Sequence, residues 1–488
     1  MTTDLARWQF ATTSIYHFLF VPVTIGLAFL VALLQTSWYK NDNPVFKRLT
    51  KFFGTLLLIN VAVGVVTGLV QEFEFGMNWS NYSRFVGNIF GGPLAMEGLV
   101  AFFLESTFIG LWIFGWDRLS KKVHLACIWL VAGASMVSAL FILAANSWMQ
   151  HPVGYVMNAQ HQPQLTDVWA LFTNPVFLWA YPHVILASLV TGAIIMLAIS
   201  AWHLKRKSAV EAFRRTAIIS LAVLTPAVFV NMFIGSELGV VEGTYQPMKI
   251  AAAEALWNTC PSHCPFSAFQ SGGGNNDPTP TKLIQIPDLL SILATNHIDG
   301  QVQGMNNLQA QYVKEYGPGN YIPNVFIQYW GMRVMAYLAA LIALFALWGL
   351  WLIRRKTLDR AKWFLFVASW FAIAPFLMNT AGWLLTESGR QPWIVQGLMK
   401  TSQAASPSVT ATDIWISLTV FVLLYAALGV ADAYLMIHYG RKELEAGPDE
   451  GSDQRDDEGP DDADHSGGHA DDGSSDRSEG PRVPALIY

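Results

Sequence analysis

From residue 12 to residue 439 the chain alternates long apolar runs with short polar ones. Nine runs are long enough to cross a bilayer, which takes roughly 20 apolar residues as a helix. They lie at about 12–38, 52–72, 93–115, 124–146, 176–203, 216–236, 325–352, 363–386 and 412–439. The runs are continuous, whereas a membrane β-barrel would show alternating segments of about ten residues. The pattern predicts an all-α polytopic membrane protein of about nine transmembrane helices. Composition agrees, with 53% hydrophobic and only 13% charged residues, against roughly 25% charged in a soluble domain. The first ten residues, "MTTDLARWQF", lack the basic segment and small-residue site of a cleavable signal.

Charge orients the bundle. One set of loops carries nineteen Lys and Arg residues, from Lys40, Lys47, Arg48 and Lys51 to Arg441 and Lys442. The opposite, longer set carries only Arg7, Arg84, Lys249, Lys282, Lys314, Arg390 and Lys400. Basic loops stay cytoplasmic, so the N-terminus is expected outside and the C-terminus inside. Four regions follow: six helices in 1–236, an external loop in 237–324, three helices in 325–442, and an acidic cytoplasmic tail in 443–488. The tail is rich in Asp, Glu, Gly and Ser, the composition of a disordered segment. Nothing in the chain points to nucleic acid as a partner. Cys127 falls in the fourth run and reads as a core residue, while Cys260 and Cys264 in "CPSHC" face an oxidising exterior. Those two could form a local disulfide or, with His263, a metal site.

Ionisable residues inside hydrocarbon are costly and mark function. His17, Glu97, His183 and Met335 lie a few residues inside four different runs, and Glu387 closes a fifth. At 1.5 Å per residue this places them within roughly 6–15 Å of one face. Arg333 stands beside Met335, and Arg390, Trp383 and Trp393 flank Glu387. His and Met are residue types that ligate haem iron, but a proton or ion path would use the same carboxylates. Glu105 lies eight residues beyond Glu97, about 80° around an α-helix and two turns deeper. Ser138 and Asn146 repeat that spacing on the next run, and the set Glu105, Ser138 and Asn146 reads as a proton path.

Seven motifs then converge: "YHFLFVP", "QEFEFGMNWS", "AMEGLVAFFLEST", "GLWIFGWDRL", "ANSWMQHP", "KIAAAEALW" and "GRQPW". In their order and content the chain resembles subunit I of the cytochrome bd-type quinol oxidases, over most of residues 8–440. The resemblance implies a terminal oxidase that oxidises quinol outside, reduces dioxygen to water and generates a proton gradient without pumping. It implies two haem b groups, one low-spin and one high-spin, and one haem d. His183 and Met335 would ligate the low-spin haem, and His17, Glu97 and Glu387 would serve the high-spin pair, with the occupants of His17 and Glu387 left open. Arg333 and Arg390 would neutralise propionates or quinol-side charge, and Trp383 and Trp393 would pack against the haems. Lys249 and Glu254 match loop positions implicated in quinol oxidation, Lys249 orienting the quinol oxygen and Glu254 accepting a proton. Implied partners are a second polytopic subunit, sometimes a small single-helix subunit, membrane quinol and dioxygen, in the bacterial cytoplasmic membrane.

Three alternatives stand beside this reading. A proton- or ion-coupled secondary transporter would use the same intramembrane Glu and His residues but should show internal repeats, and none is visible. A relative carrying only b-type haem would have the same ligands. A haem-b membrane anchor gives no role to Glu97, Glu105 or Glu387.

Overall fold

In the computed structural model, which describes residues 2–444, nine helices are long and apolar enough to span a membrane. Span one is Thr2–Asn41, two Pro44–Met77, three Ser80–Phe114, four Lys121–Gln150 and five Pro175–Arg206. Span six is Val210–Tyr245, seven Val325–Arg354, eight Lys362–Gly389 and nine Ala411–Gly440. The expected acidic tail lies outside the described residues.

Most helices outrun their apolar cores. Span six reaches Tyr245, nine residues past its expected end at 236, and span three starts at Ser80 rather than 93. Hydropathy marks only the stretch in hydrocarbon, whereas the helix continues as long as its backbone bonds are met. Start signals are local: Asn43, Ser120, Asn174, Asn324 and Thr410 each cap the helix that follows with a side-chain oxygen. Span eight is two helices, Lys362–Phe371 and Ala374–Gly389. The break precedes Pro375, which has no N–H to continue the ladder.

Spans one and five form the centre, with 61% and 67% of their apolar windows buried, against 6% for span three and 11% for span nine. The main core joins Leu27, Leu30, Phe53, Val131, Ile194 and Leu221 from five different spans. At the basic end Lys47 and Lys121 lie over Trp38, at 5.5 and 5.3 Å from the ring centroid, and Lys51 lies 5.1 Å over Trp116. The ammonium groups lie over aromatic faces, and that of Lys121 also pairs with Asp42, as at a membrane interface.

The opposite end carries the long loop 246–324. It holds a short helix, Pro247–Ala253, an antiparallel hairpin, Phe266–Ser271 with Thr281–Ile286, and helices Leu289–Thr295 and Met305–Tyr316. Two smaller hairpins, Tyr155–Met157 with Pro163–Leu165 and Trp393–Val395 with Met399–Lys400, lie in the other loops of this end. Cys260 and Cys264 are joined in a disulfide, and His263 Nδ1 instead meets Asp288 Oδ1 at 3.1 Å. The metal alternative for "CPSHC" thereby loses its sulfur ligands.

Candidate functional site: a polar stripe along span four

Span four presents four polar residues to four different ionisable groups. Ser135 Oγ donates to Glu105 Oε1 at 2.7 Å, and Ser138 Oγ donates to Glu97 Oε1 at 2.5 Å. Asn146 Nδ2 donates to Glu387 Oε1 at 2.8 Å, and Gln150 Oε1 accepts from Lys249 Nζ at 2.6 Å. At 100° per residue all four fall within an arc of about 120°, over a rise of about 22 Å. Glu97, Glu105, Ser138 and Asn146 thus meet one helix. Glu105, however, is paired with Ser135, which sequence reasoning passed over, and not with Ser138. Ser135 precedes Ser138 by three residues on the same face, and that spacing is the signal that could have found it.

Span three reaches this stripe through an irregularity. Residues Glu97–Phe102 form a π-helical turn inside an otherwise α-helical span. Such a turn takes up one extra residue, so eight residues rotate as about seven, or roughly 700°. Glu97 and Glu105 are then about 20° apart and face span four together. The 80° offset expected from α-helical geometry is corrected accordingly.

The candidate haem ligands are spread over spans one, three, five, seven and eight. His17 Nδ1 lies 3.0 Å from Thr67 Oγ1, whose own hydrogen goes to the carbonyls of Val63 or Gly64. Thr67 can then only accept, which puts the proton on Nδ1 and leaves the Nε2 lone pair free for a metal. Among the described residues His183 Nδ1 has no hydrogen-bond partner. Its ring lies against Gly235, where an added Cβ would come within 3.0 Å of Cε1, and Met335 Sδ lies equally close to a Cβ at Gly382. Both side chains thus rest on a bare backbone. Trp383 packs edge-on against Phe18, beside His17, at 4.9 Å. Among the described residues no three His, Cys, Asp or Glu converge as a metal cage; haem iron requires only one or two axial ligands. Arg390 is buried and gives Nη2 to Glu387 Oε2 at 2.5 Å, while its Nε and Nη1 have no partner among the described residues. A buried guanidinium with two free donors suits an anionic propionate. The residues present fit haem.

The loop residues depart from an ordinary surface ion pair. Lys249 and Glu254 are 1% and 2% exposed and do not pair with each other. Lys249 Nζ donates to Glu242 Oε1 at 2.8 Å. Glu254 Oε2 accepts from Arg333 Nη2 at 2.7 Å, and the same guanidinium donates to the carbonyls of Ser267 and Ala253. Arg333 also stacks 3.7 Å over Tyr329. Its donors are therefore engaged with the loop. Burial pushes the Lys249 ammonium below its ordinary range, opposed by Glu242, and pushes the Glu254 carboxyl above its own, opposed by Arg333. Glu242 was invisible in sequence because it falls beyond the expected end of span six. Trp393 stacks on Tyr321 at 5.7 Å in an aromatic cluster of this end, with Tyr316 and Lys400. Glu74 of "QEFEFG" is fully buried and accepts from Thr13 Oγ1 at 2.7 Å.

Among the described residues, nine membrane-length helices with half-buried residues of iron-ligating type define a helical membrane protein whose side chains suit haem. Residues 5–444 match the model of the cytochrome bd terminal oxidase subunit I family, and the chain belongs to that family. It is 45% identical to cytochrome bd ubiquinol oxidase subunit 1 of Bacillus subtilis (strain 168), covering 90% of this chain and 94% of that one. Cytochrome bd-II ubiquinol oxidase subunit 1 of Escherichia coli (strain K12) is 37% identical, over 90% of this chain and 96% of its own. Among solved structures, the bd oxidase of Geobacillus thermodenitrificans superposes with a TM-score of 0.82 at 28% identity, covering 90% and 98%. The chain is thus a multi-span oxidoreductase subunit of the bacterial cytoplasmic membrane.

Proposed function

We propose that this chain is the haem-carrying subunit of a quinol:dioxygen oxidoreductase that builds a proton gradient without pumping. The observation that carries it is the stripe on span four, which joins Glu105, Glu97, Glu387 and the loop Lys249 in sequence. A transporter gives no reason for a buried loop lysine at the end of such a row. The Lys and Arg asymmetry between the two ends supports an orientation with the long loop outside and the basic end in the cytoplasm.

Two haem b groups and one haem d, when bound, supply electron transfer and the reduction of dioxygen. His183 and Met335 would hold the low-spin haem, and His17, Glu97 and Glu387 would serve the high-spin pair. At the loop, Lys249 donates a hydrogen bond to the quinol oxygen and orients it. Glu254, its carboxyl held up by burial, takes a quinol proton and releases it outside. From the cytoplasmic side, Glu105 with Ser135 and Glu97 with Ser138 hold protons at successive depths toward the haems. Inward proton movement alone then crosses most of the membrane, and each charge moved against 100 mV stores about 2.3 kcal/mol.

Span three carries both carboxylates yet is only 6% buried in its apolar window. Carboxylates on a helix open to lipid are costly, so a second polytopic subunit belongs in the reading as cover for this path. A small single-helix subunit is also part of the proposal. Glu254→Gln tests the quinol site: quinol-driven oxygen uptake by the purified complex should fall tenfold or more with every haem band retained. Loss of haem instead would make Glu254 a scaffold residue.

A further inference from the structure

Gln150 touches neither a candidate haem ligand nor the quinol-side carboxylate Glu254, yet it is built into the molecule more firmly than either role would need. It is the last residue of span four and is 2% exposed. Its main-chain oxygen accepts from Gln246 Nε2 at 2.8 Å, which fastens it to the start of the loop. Its side chain accepts from Lys249 Nζ at 2.6 Å and donates from Nε2 to Asn146 Oδ1 at 2.8 Å. Asn146 then donates to Glu387 Oε1 at 2.8 Å.

Every donor in this chain points the same way, from the ammonium of Lys249 toward the carboxylate of Glu387. Two amide dipoles lie head to tail between a cation and an anion, an arrangement in which each hydrogen bond strengthens the next. A carboxamide neither gains nor loses a proton readily, so the chain is no proton wire. It fixes the positions of two charged groups relative to each other. Glu242 and Arg390 close its two ends, at 2.8 and 2.5 Å.

The geometry points to Gln150 as a positioning residue that couples the quinol-side lysine to Glu387, resting on the assignment of Lys249 to quinol and Glu387 to haem iron. A helix-end glutamine serving only to satisfy the backbone would not transmit a change between those two sites.

The test is a double-mutant cycle on the purified holo-complex with Lys249→Met, Gln150→Leu and the double variant. Two readouts are taken, the absorption and paramagnetic-resonance signals of the high-spin haems and the quinol KM. Expected are a shift of the high-spin signals in Lys249→Met, a similar shift in Gln150→Leu, and no further shift in the double variant. The quinol KM of Gln150→Leu should rise about tenfold, the scale of one charge-assisted hydrogen bond. Additive spectral shifts, or a raised KM with unchanged haem signals in Lys249→Met, overturn the coupling and leave the oxidase reading standing. Should Gln150→Leu fail to assemble, Gln150→Glu keeps the acceptor for Lys249 and removes the donor to Asn146. It should still shift the high-spin signals, and an unchanged spectrum there overturns the coupling. A wild-type complex without haem overturns the haem assignment itself.

Discussion

Met335 rests its sulfur on the backbone of Gly382, and His183 rests its ring on Gly235. The missing Cβ leaves just enough room for each side chain, so a larger residue at either glycine would displace it. Met335→Leu keeps the volume and removes the sulfur. In the reduced spectrum most of the low-spin b-type signal should be lost or displaced, with the high-spin signals little changed; an unaltered low-spin signal would remove Met335 from the ligand set. At this scale much was legible beforehand. His17, His183, Met335 and the three glutamates stand out because ionisable or sulfur-bearing residues in apolar runs are few. Their partners were less legible. Ser135 looked like any small residue of a packed helix, and Glu242 looked like a loop acid until the helix was seen to continue to Tyr245.

The π-helical turn Glu97–Phe102 decides where span three aims its carboxylates. It could not be read from sequence, because "EGLVAF" lies in a run apolar on every side and leaves no periodicity to lose. Leu99, at its middle, is 64% exposed on the outer surface of the bundle. Inserting one alanine after Phe103, just beyond the turn, adds a residue of ordinary α-helix and should swing Glu105 by about 100° relative to Glu97, away from Ser135. Oxygen uptake should fall at least tenfold while the low-spin haem spectrum persists. Turnover near wild type would show that the proton path does not need the two glutamates on one face. The existence and order of the nine spans were legible, since twenty-residue apolar runs have few other readings. Their ends were not, because capping residues such as Asn174 and Thr410 act outside the hydrophobic signal.

Across the whole molecule, the long loop is fastened to the bundle by two buried charge clusters. One joins Arg333 of span seven to Glu254 and the carbonyls of Ala253 and Ser267. The other joins Lys249 to Glu242 of span six and Gln150 of span four. Removing one member of a buried pair strands the other charge, at a cost of about 3–5 kcal/mol. Arg333→Gln should therefore loosen the loop, and limited proteolysis should cut within residues 246–324 far faster than in the wild type. An unchanged digestion rate would argue that the hairpin and disulfide alone hold it. Sequence showed that a long loop exists and carries Lys249 and Glu254. It did not show that each pairs with a different span, since those contacts bridge up to 99 residues of chain.

The reading as a whole depends on haem, and one measurement reaches it directly. A dithionite-reduced minus air-oxidised spectrum of the purified complex, followed by acid-acetone extraction, should show b-type bands together with a long-wavelength chlorin band. A complex with no haem at all would contradict the account and return the membrane carboxylates and histidines to a proton or ion path.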